Sequence, residues 1–355
     1  ENKFHVKYKK KYEVIVVGGG HAGTEAAAAS SRMGLKTALI THKTESIGAM
    51  SCNPAVGGLG KGHIVREIDA LDGVMGRAID LSGIQFRILN SSKGPAVQGP
   101  RAQADRNLYK RAAQGILKKQ SNLDIIKGSV EDLIIENYCI KGVCLEDNVK
   151  IYSYTVVLTT GTFLRGEIKI GDKSFPAGRI GDKPSTRLAK SIESYNFSMG
   201  RLKTGTPPRI LKKTIKFNDL DIQKGDDNPS PFSFLSKKIY LPQVFCHITH
   251  TNIKTHQIIQ DNLHLSAMYS GQKISTGVRY CPSIEDKVVK FAQKTSHQIF
   301  LEPEGLESEI IYPNGISTSL PESVQNEFIK TIPGLEYAKI TQPGYAIEYL
   351  SLIHI

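Results

Sequence analysis

Two thiols stand in settings where a thiolate could do covalent chemistry. Cys281 lies in residues 277–291, GVRYCPSIEDKVVKF, where Ser283 followed by Asp286 at capping-box spacing predicts a helix start just after Pro282. The sulfur then sits at the positive end of that helix with Arg279 nearby, and both features lower a thiol's pKa. From pattern alone the alternative is a buried, inert thiol. Cys52 falls in residues 46–62, SIGAMSCNPAVGGLGKG, a long loop of small residues of the kind that carries function. One such sulfur can act as a nucleophile while the second serves as an acid or base. Cys139 and Cys144 are five apart on one expected strand, hence on opposite faces, and read as core fillers, as does Cys246. His21 reads as a helix-start residue. His247, His250 and His256 lack metal-ligand company, so no metal is expected.

These residues need elements to position them, and the first is residues 12–23, YEVIVVGGGHAG. An apolar run stops on three glycines and an alanine-rich stretch follows, which predicts strand, tight turn and helix. Gly18, Gly20 and Gly23 fit G-x-G-x-x-G: the first permits the turn, the second lets backbone approach a pyrophosphate, and the third packs helix on strand. The helix amino end then offers unpaired N–H groups to phosphate. Gly34 closes the helix, and residues 36–41 supply the second strand of a βαβ unit. The acidic residue expected at the end of that strand to hold a ribose is absent: Thr41, His42 and Lys43 stand there. Residues 55–62 superficially suggest a P-loop, but Ala55 and Gly62 occupy positions that need Gly and Ser or Thr.

Further along, helices are expected over 63–71, 106–119 and 185–195, with strands over 123–135, 139–158 and 243–249. Lys93, Arg101 and Arg106 could meet phosphates or be ordinary surface charges. Thr160-Gly161-Thr162 after an apolar strand looks like a second glycine turn. The α/β rhythm breaks after RLKTGTPPR, so residues 204–277 read as an inserted domain. Its Phe232, Phe234, Tyr240 and Phe245 are expected to fill a small core.

Composition sets wider bounds. The chain has 355 residues, 40% hydrophobic and 23% charged, enough for one large domain or two. A net charge of +12 suits a polyanionic partner without requiring one. Five cysteines with no C-x-x-C pair argue against a disulfide framework and for a reducing compartment. No apolar run has membrane-spanning length and no secretory signal is recognisable, which places the chain in the cytoplasm. The first residue is not methionine, so the true start is expected to be missing. The terminal LSLIHI matches what a sequencing adaptor would encode, and native sequence is expected to end at Tyr349.

The ordered set GGGHAGTEAA, SCNPAVGGLGKGH, FRILNSSKGPAV, RAQADR, GRLKTGTPPR, RYCPSIEDK, FLEPEG and YPNGISTSLP closely resembles the MnmG/GidA family over about residues 12–349. The resemblance implies an α/β fold: a Rossmann-like FAD-binding domain of the two-dinucleotide flavoprotein type, a parallel sheet plus β-meander, with an inserted α/β domain. The implied division is 1–203 and 278–349 for the FAD-binding domain, 204–277 for an NAD-associated insert, and 350–355 for a foreign tail, with a C-terminal helical domain absent.

It also implies an FAD- and NADH-dependent enzyme that works as a homodimer with the GTPase MnmE. That enzyme adds an aminomethyl or carboxymethylaminomethyl group to carbon 5 of the wobble uridine of certain tRNAs, with methylenetetrahydrofolate as carbon donor. By motif match, FAD contacts fall on Gly18, Gly19, Gly20, His21, Ala22, Gly23, Val130 and Ser185. The NAD stretch is Gly277, Val278, Arg279, Tyr280, Cys281, Pro282, Ser283, Ile284, Glu285, Asp286, Lys287, Val288, Val289, Lys290 and Phe291. Cys52 and Cys281 match the family's two catalytic cysteines, and Arg201, Lys203 and Arg209 are candidate tRNA or cofactor contacts. The rival readings are a folate- and FAD-dependent tRNA uridine methyltransferase, a flavin disulfide reductase, and a non-catalytic RNA-binding scaffold.

Overall fold

The computed structural model describes residues 11–267, 269, 276–277 and 282–352. The chain opens with β1 (Lys11–Val17), α1 (His21–Arg32), β2 (Thr37–Thr41), β3 (Ala55–Gly57), α2 (Lys61–Ala70), α3 (Met75–Asp80), β4 (Gly83–Leu89), β5 (Gly99–Ala104) and α4 (Arg106–Lys118). It continues through β6 (Leu123–Lys127), β7 (Val130–Glu136), β8 (Cys139–Leu145), β9 (Lys150–Leu158), β10 (Glu167–Ile170), β11 (Lys173–Pro176), α5 (Thr186–Ser194) and β12 (Met199–Thr206). Then come β13 (Arg209–Leu211), β14 (Asp221–Gln223), β15 (Cys246–His250), α6 (Ile253–Asp261), β16 (Thr276–Gly277) and α7 (Ile284–Lys290). The last elements are β17 (Gln298–Pro303), β18 (Ile310–Asn314), α8 (Glu322–Ile329), β19 (Ile340–Gln342) and β20 (Tyr345–Leu352).

The first sheet has the order β6-β2-β1-β9-β8-β7, parallel from β6 to β9 and closed by the antiparallel hairpin β7–β8. Alternation along β1 sends Val14 and Val16 into one core, under α1 and α4, and Ile15 and Val17 into the other, against α5. Both faces are covered, which is why the strands carry near-continuous apolar runs. The expected βαβ unit is present: α1 is alanine-rich, and Gly34 at φ +89° turns the chain out of it.

A five-stranded sheet, β11-β10-β20-β12-β16, adjoins this layer, and a six-stranded antiparallel-paired sheet, β14-β15-β17-β18-β13-β19, forms the second unit with α6, α7 and α8 around its own core. This corrects the expected insert. β12, which runs into the expected 204–277 segment, pairs with β20 in the five-stranded sheet, whereas β17, β18 and β19 complete the sheet begun by β13. The second unit's sheet therefore extends to Gln342, because strands far apart in sequence share one hydrogen-bonded ladder. β20 runs to Leu352 with Leu350 buried, so the expected foreign tail continues the strand as far as that residue.

The four aromatics do not share a core. Phe232 is buried in the first unit, while Phe234, Tyr240 and Phe245 are exposed. Asp80 accepts hydrogen bonds from the backbone N–H of Phe232 and Ser233, and Asp69 accepts one from Phe234, so this irregular stretch is held by buried carboxylates of the first unit.

Candidate functional site

At the carboxyl ends of β1, β2 and β9 lies a cavity of about 260 Å³. Its walls include Gly18, Gly19, Gly20, Thr41, His42, Lys43, Ser51, Val130, Arg179, Asp182, Ser185 and residues 159–163. Open α/β sheets keep ligands at this edge, where strand ends face helix amino termini. Of the sequence-expected flavin contacts, the cavity brings together Gly18, Gly19, Gly20, Val130 and Ser185. His21, Ala22 and Gly23 lie behind the turn.

Each motif glycine has a distinct steric reason. Gly18 sits at φ +111°, and a side chain there would meet the Thr159 carbonyl at 2.4 Å. A Cβ on Gly23 would stand 1.7 Å from the Gly18 carbonyl oxygen, so only glycine lets α1 approach the turn. A Cβ on Gly20 meets nothing within 4 Å, which leaves the approach to the α1 amino end open. Gly20 is the N-cap and no side chain caps this helix, so its first N–H groups point toward an anion site. Strand-end position, open glycine and uncapped helix together fit the diphosphate of a dinucleotide.

The end of β2 lacks the carboxylate that usually holds a ribose in such folds. His42 stands just past β2 with Nε2 3.3 Å from Ser129 Oγ and 3.5 Å from Ser185 Oγ, its ring edge-on to Phe163. Burial, outweighing Asp182 and Glu131, lowers its pKa, so the imidazole is neutral at physiological pH. Asp182 is already engaged, by Lys43 at 2.6 Å and by Arg179. Burial works against its charge, but those two hydrogen bonds prevail and hold it below the usual carboxylate range. Arg179 also donates to Ser51 at 3.2 Å, tying the loop before Cys52 to the cavity wall. The sequence showed His42 at the position of the missing acid without giving it a role, and it did not single out Arg179 or Asp182.

Cys52 is one residue beyond the cavity wall. Its Sγ lies 3.6 Å from the Gly205 carbonyl and 3.2 Å from the Tyr312 hydroxyl, facing the second unit. Cys281, with Val278, Arg279 and Tyr280, lies outside the described residues. The expected cap next to it is present: Ser283 Oγ accepts from Asp286 N at 3.1 Å. Gly277 is exposed in β16 and pairs with Lys203.

The remaining NAD stretch is divided by packing. Ile284 and Val288 fill the second core, and Glu285 is fully buried, accepting from Ser319 N and Ser266 Oγ. Ser283 and Asp286 are buried at the cap, and Lys287 donates to the Gly315 carbonyl. Of residues 282–291, Pro282, Val289, Lys290 and Phe291 are exposed, and the inward side chains are engaged within the second unit.

The basic candidates have partners within the protein. Arg209 is 5% exposed; it donates to Glu304, Thr206 and the Pro207 carbonyl and covers the Tyr312 ring. It is a buried clamp. Lys203 is buried, and Arg201 lies near Glu167 and Glu348. Arg101 pairs with Glu302 and Arg106 with Glu304, so neither is a free surface charge. Cys139 is exposed and is no core filler, whereas Cys246 is buried, donates to Gln103 Oε1, and has its thiol pushed up to about 12 by burial. Among the described residues no cluster of three His, Cys, Asp or Glu is placed to hold a metal, and no helix is long and apolar enough to cross a membrane.

The family model described as glucose inhibited division protein A matches residues 13–354. The chain belongs to this family. The curated tRNA uridine 5-carboxymethylaminomethyl modification enzyme MnmG of Granulibacter bethesdensis is 59% identical over 95% of this chain and 54% of its own length. Two solved structures of Aquifex aeolicus GidA superpose on it. The form I crystal matches with TM-score 0.92 at 51% identity over 97% of this chain and 58% of that one. The form II crystal matches with TM-score 0.90 at 49% identity over 99% and 56%. The chain thus spans about half the length of its GidA-family relatives, and the fold is that of GidA: a Rossmann-type α/β layer with an inserted unit.

The glycine turn carries one pH-sensitive group. His21, edge-on to Tyr109 and with Nδ1 unpartnered, has its pKa lowered to about 4 by burial and then by Lys61. Its folded pKa lies below its unfolded value of 6.5, so the unfolded chain binds the extra proton in that interval and stability falls as pH drops from 6.5 toward 4. His21→Gln is expected to lessen that fall relative to wild type, read as the difference in urea unfolding free energy between the ends of the window. Parallel curves for the two proteins would contradict it.

Proposed function

We propose that the full-length protein is a flavin-dependent tRNA-modifying enzyme that acts on carbon 5 of the wobble uridine. The observation that carries this is the 59% identity to a relative named tRNA uridine 5-carboxymethylaminomethyl modification enzyme, in a chain whose glycine turn opens on a cavity at the strand ends. FAD is the cofactor the cavity suits; when bound, a flavin supplies reducing equivalents and can carry a one-carbon unit. NADH as reductant, methylenetetrahydrofolate as carbon donor, the MnmE GTPase as partner, a homodimer and a cytoplasmic location follow from the family resemblance and complete the proposal.

The protein's own chemistry rests on its sulfurs. Carbon 5 of uracil is a poor nucleophile until something adds at carbon 6, and a thiolate is the side chain suited to that addition. The electron pair displaced from the carbon 5–carbon 6 bond then makes carbon 5 attack the one-carbon electrophile. Loss of the carbon 5 proton to a base and departure of the thiolate restore the double bond. Cys52 and Cys281 share the roles of nucleophile and acid or base. His42, Ser185 and Ser129 would hold the adenosine end, and the α1 amino end the diphosphate.

Nucleoside analysis of tRNA from cells lacking the parent gene tests the reading. Complementation with the full-length wild-type gene should restore the modified wobble uridine, and Cys52→Ser should not. Unchanged wobble uridines in the deletion would overturn the assignment. A crosslink to 5-fluorouridine tRNA that survives undiminished in both Cys→Ser variants would exclude either sulfur as the carbon 6 nucleophile.

A further inference from the structure

We propose that Tyr312 is a positioning residue for Cys52: its hydroxyl donates a hydrogen bond to the sulfur, directs it, and favours the thiolate. The inference rests on reading Cys52 as reactive. Tyr312, on the inner strand β18, is 3% exposed, and its hydroxyl meets Cys52 Sγ at 3.2 Å across 260 residues of sequence. Burial, and then the neighbouring sulfur, raise the phenol's pKa, so it keeps its proton and is available as a donor.

Two further contacts fix the pair. The Arg209 guanidinium lies 4.6 Å from the centre of the Tyr312 ring and donates to the Cys52 carbonyl at 3.5 Å. The Gly205 carbonyl, 3.6 Å from the sulfur, accepts the S–H of the neutral thiol. On ionisation that contact is lost, whereas the Tyr312 O–H is already aimed at the charge. The other groups felt at this point are Lys61, whose ammonium the sulfur supports, together with the phenol of Tyr345 and Glu302, whose carboxylate opposes further negative charge around Tyr312. Burial raises the Tyr345 pKa as well, so it stays neutral.

The test is the pH dependence of iodoacetamide alkylation, followed on the Cys52 peptide of the full-length protein by mass spectrometry. Tyr312→Phe keeps the ring and deletes the donor. It should raise the alkylation midpoint of Cys52 by about one pH unit and leave the exposed Cys139 unchanged. Replacing Tyr312 with 3-fluorotyrosine, nearly isosteric and a stronger donor, should move the midpoint down and keeps the test valid if the Phe variant folds poorly. A Cys52 midpoint unaltered by either change overturns the proposal. A shifted midpoint together with tRNA modification that survives Cys52→Ser would instead defeat the reading of Cys52 as catalytic, so the two failures are distinguishable.

Discussion

Gly23→Ala is expected to leave the full-length protein without bound flavin and to destabilise it by roughly 3 kcal/mol, at the upper end for overpacking a rigid site. The added methyl would stand 1.7 Å from the Gly18 carbonyl oxygen and 2.8 Å from Thr159 Oγ1. The first is backbone and cannot swing aside. Thr159 Oγ1 also donates to the Val17 carbonyl, so the clash would spread to the β1–β9 junction. Gly20→Ala is the matched control. Its φ of −75° suits any residue and its Cβ has open space, so the fold should stay within about 0.5–1 kcal/mol of wild type. It should still lose flavin, because the methyl enters the space that a diphosphate needs. Flavin absorbance after gel filtration and thermal unfolding read the two effects separately. A Gly23→Ala protein that stays yellow and melts like wild type would defeat the account.

Glu304→Ala should cost about 3–5 kcal/mol, the range for stranding buried charge. Glu304 accepts from Arg106 at 2.5 Å and Arg209 at 2.6 Å, and its side chain is 13% exposed beside an arginine at 6%. Removing the carboxylate leaves two cations facing each other with little water. The damage should reach the thiol loop, since Arg106 also donates to the Met50 carbonyl and Arg209 to that of Cys52. Urea denaturation of Glu304→Ala, and of the same change combined with Arg209→Met, measures it. The double variant should recover part of the loss because one stranded charge is gone. Additive losses would show that the pair is not coupled.

The Glu304 junction illustrates what spacing conceals. Residues 101, 103 and 105 of RAQADR all face the 302–306 segment: Arg101 meets Glu302, Gln103 donates to the Pro303 carbonyl, and Asp105 accepts from Leu306 N while capping α4. Period-two alternation puts Arg101 and Gln103 on one side of β5, with Asp105 just beyond its end, which the sequence allows. Nothing local says that their partners lie about two hundred residues away. For the same reason Arg101 and Arg106 could be read as phosphate contacts or surface charges but not as internal ion pairs, and Tyr312 drew no notice inside an apolar run.

What the sequence determined by itself is local: the βαβ unit, the Gly18–Gly23 turn, the glycine turn after β9, the Ser283 cap and the family motifs all depend on steric demands and hydrogen bonds within a few residues. The tertiary structure decided which strands share the second sheet, that His42 meets Ser129 and Ser185, and that Cys52 meets Tyr312. Those outcomes depend on contacts between segments whose separation in the chain carries no information about their distance in space. Burial can turn a basic residue into an internal clamp as readily as it can turn a tyrosine into a donor for sulfur.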